Sequence, residues 1–118
     1  MGKLAIVRFA VVLLFLVVSS KLFAQSPVKI ACVGNSITYG AGMVNREKNA
    51  YPVQLQAMLG EGYEVRNFGV NGTTLLKNGD HPYWNTNQYK SALSYDADIV
   101  FIKLGTNDSK QQNRVHLT

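Results

Sequence analysis

Gly34-Asn35-Ser36-Ile37-Thr38 and Gly105-Thr106-Asn107-Asp108 place a hydroxyl and a primary amide just after two short apolar runs. A serine hydroxyl becomes a nucleophile once a base takes its proton, and an asparagine amide can donate to an oxygen that turns negative. Together they are parts of acyl transfer at an ester. The apolar runs are Val28 to Val33 and Ile99 to Leu104. A run of this kind ending in glycine and small polar residues predicts a buried parallel strand that delivers a loop at its carboxyl end. Ligands and chemistry sit outside the carboxyl ends in open α/β sheets, so hydroxyl and amide are expected on one sheet edge.

A third group joins them. A second strand, Tyr63 to Phe68, runs into Gly69-Val70-Asn71-Gly72-Thr73-Thr74. A glycine at Gly72 lets a bare backbone N–H approach a substrate closely. The N–H groups of Ser36 and Gly72 with the Asn107 amide make three donors around one hydroxyl. Each signal has an ordinary counterpart. A Gly-x-Ser turn is a common strand-to-helix connection, Gly69 and Gly72 suit any turn, and Asn107 or Asp108 could cap a following helix. The combination, in order and at one sheet edge, carries the inference.

The elements that must hold these groups alternate. Asn49 is the expected cap of a helix from Tyr51 to Leu59, with Pro52 in its first turn, where a missing N–H costs nothing. Val53, Leu55, Met58 and Leu59 form the expected buried stripe, and Gly60 ends the helix. A polar and aromatic stretch from Leu75 to Asn87 contains the turn signal Gly79-Asp80-His81-Pro82 and the single tryptophan, Trp84. A short helix, Gln88 to Ser94, leads to the third strand. This β-α-β-α-β order predicts a parallel sheet with right-handed crossovers. Three parallel strands leave open edges and partly covered faces, so residues 25–118 read as the front part of a larger domain.

Composition narrows the class. Lys3 and Arg8, the apolar run Phe9 to Val18 and the exit Ser19 to Ala24 read as a signal peptide over residues 1–24, cleaved after Ala24. The expected location is secreted or periplasmic, with no membrane association after cleavage. The formal charge of +5 comes largely from that segment, since Lys3, Arg8 and Lys21 supply three of the 12 basic residues against seven acidic ones. No basic stripe for nucleic acid remains. One cysteine excludes an internal disulfide, and Cys32, inside the first strand, reads as a small buried hydrophobe. No Cys or His spacing suggests a metal, and no cofactor is expected. The glycines of Gly34 to Gly42 lack the Lys-Ser/Thr of a phosphate-binding P-loop.

Three blocks carry a family resemblance. Val33-Gly34-Asn35-Ser36-Ile37-Thr38-Tyr39-Gly40 resembles the first block of the SGNH, or GDSL-type, esterases and lipases. Asn67-Phe68-Gly69-Val70-Asn71-Gly72-Thr73-Thr74 resembles the second, and Leu104-Gly105-Thr106-Asn107-Asp108 the third. The resemblance implies a flavodoxin-like three-layer α/β/α sandwich, here its N-terminal part, and serine ester hydrolysis. It makes Ser36 the nucleophile and Gly72 and Asn107 oxyanion-hole donors. Asn35, Asn71, Trp84 and Asp108 are the candidate substrate contacts.

Two departures stand out. The aspartate usual before the serine is Asn35 here, which puts local hydrogen bonding in question more than the reaction. The family's Asp-x-x-His block, which supplies the base and its orienting acid, is missing from the sequence. Asn113-Arg114-Val115-His116 has the spacing but follows the third block too closely, and asparagine cannot support an imidazolium. His116 and His81 are therefore expected as loop histidines. Losing the histidine of a serine hydrolase costs about 10⁶-fold in turnover, so these 118 residues alone are expected to be nearly inactive. The aromatic and amide residues Tyr83, Trp84, Asn85, Asn87 and Tyr89 suit a sugar, so a carbohydrate O-acetyl ester is the preferred substrate. Trp84 and Tyr83 equally suit packing a helix on the sheet. The alternative is an exported carbohydrate-binding or inactive module of the same fold.

Overall fold

The computed structural model describes residues 2–8 and 25–116. The apolar run Phe9 to Val18 and the expected cleavage site at Ala24 lie outside the described residues. No helix among the described residues is long and apolar enough to cross a membrane.

The fold is α/β. Three parallel strands, β1 (Val28–Gly34), β2 (Tyr63–Gly69) and β3 (Ile99–Lys103), form a sheet in the order β2-β1-β3. β1 is central, and its residues from Ile30 onward are buried. The register pairs Val33 with Phe68 on one side and with Ile102 on the other. Because side chains alternate along a strand, Ala31, Val33, Val100 and Ile102 share one face, and Ile30, Cys32, Ile99 and Phe101 share the other.

Four α-helices lie among residues 25–116: α1 (Ser36–Tyr39), α2 (Arg46–Asn49), α3 (Tyr51–Leu59) and α4 (Asn87–Ser94). The one-turn helices α1 and α2 replace what the sequence predicts as loop. α3 has the expected bounds, but its cap differs. Ala50 occupies the cap position without a side-chain bond, while the Asn49 amide donates to the Val44 carbonyl (2.6 Å) and belongs to α2. The predicted buried stripe is also only partly formed, since Val53, Leu55 and Leu59 are half-buried, Met58 is 76% exposed and Pro52 is the buried residue of the helix. The reason is placement: α3 packs on β2, at the edge of the sheet, so only part of its surface meets strands. There Gln56 covers edge groups of β2. Its Oε1 accepts the Val65 N–H (2.6 Å), and its Nε2 donates to the Tyr63 carbonyl (3.0 Å). That satisfies main-chain groups which would otherwise be open to pairing.

α4 lies against the opposite face. Thr86 caps it, accepting the Tyr89 N–H at its side chain (3.1 Å). Ala31, Val33, Phe68, Tyr83 and Tyr95 form the buried cluster on this side. Tyr83 is fully buried, and its hydroxyl donates to the Phe68 carbonyl (2.7 Å). Trp84 stands edge-on to Tyr89, with centroids 5.2 Å apart, and its indole N–H donates to the Leu75 carbonyl (2.8 Å).

β3 departs from the expected buried strand. Val100, Phe101 and Ile102 are 52%, 48% and 63% exposed. As an edge strand it has a partner on one side only, and α4 shields it incompletely. An apolar cavity of about 160 Å³ remains between Val100 and Ile102 on one side and Trp84, Tyr89 and Leu93 on the other.

Candidate active site

The strands end level. Gly34 on β1 is in register with Gly69 on β2 and Lys103 on β3. Pairing runs just past them, with the Asn35 N–H donating to the Lys103 carbonyl (3.3 Å) and the Val70 N–H to the Gly34 carbonyl (2.9 Å). Three loops therefore leave one sheet edge side by side. Ser36 follows the central strand, and Gly72 and Asn107 follow its two neighbours.

Ser36 is held by a tight local motif. Asn35, 1% exposed, accepts the Ile37 N–H at Oδ1 (3.1 Å) and so caps α1. Gly40, with φ +89°, closes the turn by donating to the Ser36 carbonyl (2.9 Å). Asn35 thus keeps the local bonding that its departure from the family pattern put in question. Glycines let this turn sit directly on the strand ends. A Cβ on Gly34 would meet the Lys103 carbonyl oxygen at 2.7 Å, and one on Gly69 would meet the Thr38 carbonyl carbon at 2.7 Å. From β2, the Asn67 amide donates to the Thr38 carbonyl (2.8 Å) and its oxygen accepts the Gly69 N–H (2.8 Å). A polar side chain near a strand end, between glycine-containing segments, was the sequence signal for this tie.

The flanking loops are joined across Ser36. The Asn107 amide donates to the Thr73 carbonyl (2.9 Å), which commits one of its two hydrogens. Gly72 adopts φ +76°, a left-handed conformation open to glycine, and its carbonyl accepts from Lys110 Nζ (3.3 Å). Among the described residues, nothing accepts the Ser36 N–H, the Gly72 N–H or the second Asn107 hydrogen. These are the three donors singled out from the sequence, and none has a partner among the described residues. Ser36 itself is half-buried, and its hydroxyl has no hydrogen bond among the described residues.

The other candidates fall in different places. Asn71 is exposed at the tip of the turn beside Gly72, and Trp84 is half-buried in the aromatic cluster. Asp108 is buried, and neither it nor Asn107 caps a helix. The short 3₁₀ turn Thr106–Ser109 starts at Gly105 with no side-chain cap, because both side chains reach across to the 73–76 segment. His81 and His116 are exposed, and neither is hydrogen-bonded to Ser36. His81 lies beside the turn, its Nδ1 3.7 Å from where a Cβ on Gly72 would stand.

Cys32 is a buried thiol raised by desolvation, with the Tyr51 hydroxyl of α3 lowering it in part, so it is held protonated. Asp80 is held well below the usual carboxylate range by hydrogen bonds from Asn113, Lys110 and Gln112. Among the described residues there is no group of three or more His, Cys, Asp or Glu placed to hold a metal.

The chain is similar to known proteins at the level of family. The model of the GDSL-like lipase/acylhydrolase family matches residues 32–117. An acetylxylan esterase of Xylanibacter ruminicola is 53% identical over 89 residues, which cover 75% of this chain and 18% of that protein. The chain thus spans less than a fifth of that relative's length. Among solved structures, AlinE4, an SGNH-hydrolase family esterase, is 22% identical with a TM-score of 0.46, over 71% of this chain and 43% of AlinE4. A mutant of AlinE4 matches with the same values.

Proposed function

The chain belongs to the GDSL-like lipase/acylhydrolase family, the SGNH carboxylic ester hydrolases, and from that premise we propose that it carries the nucleophile and oxyanion hole of an esterase that removes O-acetyl groups from a plant-type polysaccharide such as xylan. One observation carries the catalytic part: three unengaged N–H donors, from Ser36, Gly72 and Asn107, on three adjacent loops at level strand ends. The identity with an acetylxylan esterase supports the choice of substrate.

In this mechanism the Ser36 hydroxyl oxygen attacks the acetyl carbonyl carbon as its proton passes to a base. The carbonyl oxygen turns negative and takes hydrogen bonds from the three donors. The intermediate collapses, the bond to the sugar oxygen breaks, and that oxygen takes the proton from the base. Water then attacks the acetyl-serine by the same route, releasing acetate and restoring Ser36. The donors meet the oxygen more strongly as it gains charge, which is what lowers the barrier. The base is a histidine in an Asp-x-x-His segment if the family pattern holds, and residues 25–116 contain no such segment. Asn71, exposed beside Gly72, is the proposed contact with the sugar.

The test uses the intact protein as its source produces it, with acetylated xylan and 4-nitrophenyl acetate as substrates. Release of acetate is expected, and Ser36→Ala should reduce turnover by about 10⁴-fold or more. Wild-type turnover in Ser36→Ala would overturn the assignment of the nucleophile. Binding of acetylated xylan without release of acetate would replace hydrolysis by glycan recognition.

A further inference from the structure

We propose that Asp108 is a positioning residue for catalysis: its carboxylate anchors the segment after Gly72 and so fixes where the Gly72 N–H points. The proposal rests on the reading of Gly72 as an oxyanion donor.

Gly72 does not set its own direction. Glycine populates both signs of φ, and the exposed Asn71 makes no side-chain hydrogen bond among the described residues. What holds it must come from either side. On the amino side the Val70 N–H is tied to the Gly34 carbonyl (2.9 Å). On the carboxyl side Thr73 Oγ1 donates to the Val70 carbonyl (2.9 Å) and the Thr74 N–H to the His81 carbonyl (2.9 Å), and further ties come from the segment after β3. Asp108 is 8% exposed, and its Oδ1 and Oδ2 accept the consecutive N–H groups of Leu75 (2.8 Å) and Leu76 (3.0 Å). Hydrogen bonds to an ionised carboxylate are about twice as strong as neutral ones, so this pair is the firmest tie on the loop.

Weaker bonds complete the clamp. Asn107 holds the Thr73 carbonyl (2.9 Å) and Lys110 the Gly72 carbonyl (3.3 Å). Further along, Asn113 is buried, accepts the Asp80 N–H at Oδ1 (2.7 Å) and donates to the Asn107 carbonyl (3.0 Å). The donor loop after β2 is therefore bound to the donor loop after β3, and Asp108 is the buried charge in that junction. An acid fits this position because both of its oxygens accept. An asparagine can accept at one oxygen only, and its NH₂ would face the second N–H. A displacement of about 1 Å at a reacting centre can cost about 10²-fold in rate.

The experiment measures Asp108→Asn and Asp108→Glu in the intact protein. Competent active sites are counted by covalent labelling with a fluorophosphonate probe, and 4-nitrophenyl acetate hydrolysis is expressed per labelled site. Both variants are expected to lose about 10- to 100-fold in kcat per labelled site, with KM within about twofold of wild type. A purely structural role would lower the number of labelled sites and the melting temperature while leaving kcat per site unchanged. That result in either variant overturns the proposal, and the glutamate variant, which keeps the charge, covers the case in which the asparagine variant does not fold. Ser36→Ala is run alongside. If it stays active, the underlying reading fails; if it is inactive while the Asp108 variants keep full kcat per site, only the clamp fails.

Discussion

Asn107→Ala separates the two tasks of one amide. The side chain gives one hydrogen to the Thr73 carbonyl at 2.9 Å and has a second free at the edge shared with Ser36 and Gly72. Removing the first is a stability effect of about 0.5–1.5 kcal/mol, the usual net worth of such a hydrogen bond. Removing the second is a rate effect of about 10²–10³-fold in kcat, or roughly 2.7–4 kcal/mol, as for other oxyanion-hole donors. These do not mix. A domain with about 5–15 kcal/mol of stability stays folded after the first loss, so depopulation of the native state cannot supply a hundredfold fall in rate. The assay is steady-state hydrolysis of 4-nitrophenyl acetate by the intact protein, with urea denaturation of the same samples. A fall in kcat of at least about 10²-fold, KM little changed and a modestly lower denaturation midpoint are expected. A kcat within about threefold of wild type beside the same loss of stability would refute the reasoning and leave Asn107 as a loop tie.

Gly69→Ala should cost about 1–3 kcal/mol, since the new Cβ meets the Thr38 carbonyl carbon at 2.7 Å and backbone cannot rotate aside. Because α1 must shift to admit it, kcat should fall as well; chemical denaturation and rate measurements on one preparation check both. Tyr83 makes an alkaline prediction. Burial pushes its hydroxyl from 10.0 up to about 12. The neutral form is favoured in the fold, so this contribution is fully present below pH 10 and is lost as pH rises through 12. Tyr83→Phe should cost about 1–2 kcal/mol at neutral pH, by leaving the Phe68 carbonyl without its donor, and should flatten the decline in that window. Tyr51 and Tyr95 are raised in the same direction, so urea unfolding from pH 8 to 12 must be read as the difference between wild type and variant.

Much of this architecture was legible in the chain itself. Two apolar runs mark β1 and β3, and the alternating segment Tyr63 to Phe68 before Gly69 marks β2, each to within a residue of its observed ends. The same punctuation brings Ser36, Gly72 and Asn107 to one edge, since parallel strands must present all their carboxyl ends together. Gly34 and Gly69 carry more than turn chemistry, as their bare Cα atoms let α1 rest on the sheet. Local cues were weaker for capping. Asn49 looked like a cap because the cue is a residue type at a position, while the choice between Asn49 and Ala50 depended on a one-turn helix upstream that has little periodicity to reveal it.

What tertiary structure decided was partnership. Nothing in the order of residues says that Asp108 spends its carboxylate on the N–H groups of Leu75 and Leu76, that Asn113 meets Asp80, or that Gln56 covers the β2 edge. Nor does an apolar run tell a central strand from an edge one, so β3 looked as buried as β1 until the strand order was known. Sequence fixes the period of a strand, the stop of a helix and the type of group a loop carries, because those depend on neighbours along the chain. Which donor meets which acceptor depends on the path the chain takes through space, and that path is set by the sum of packing over the whole fold.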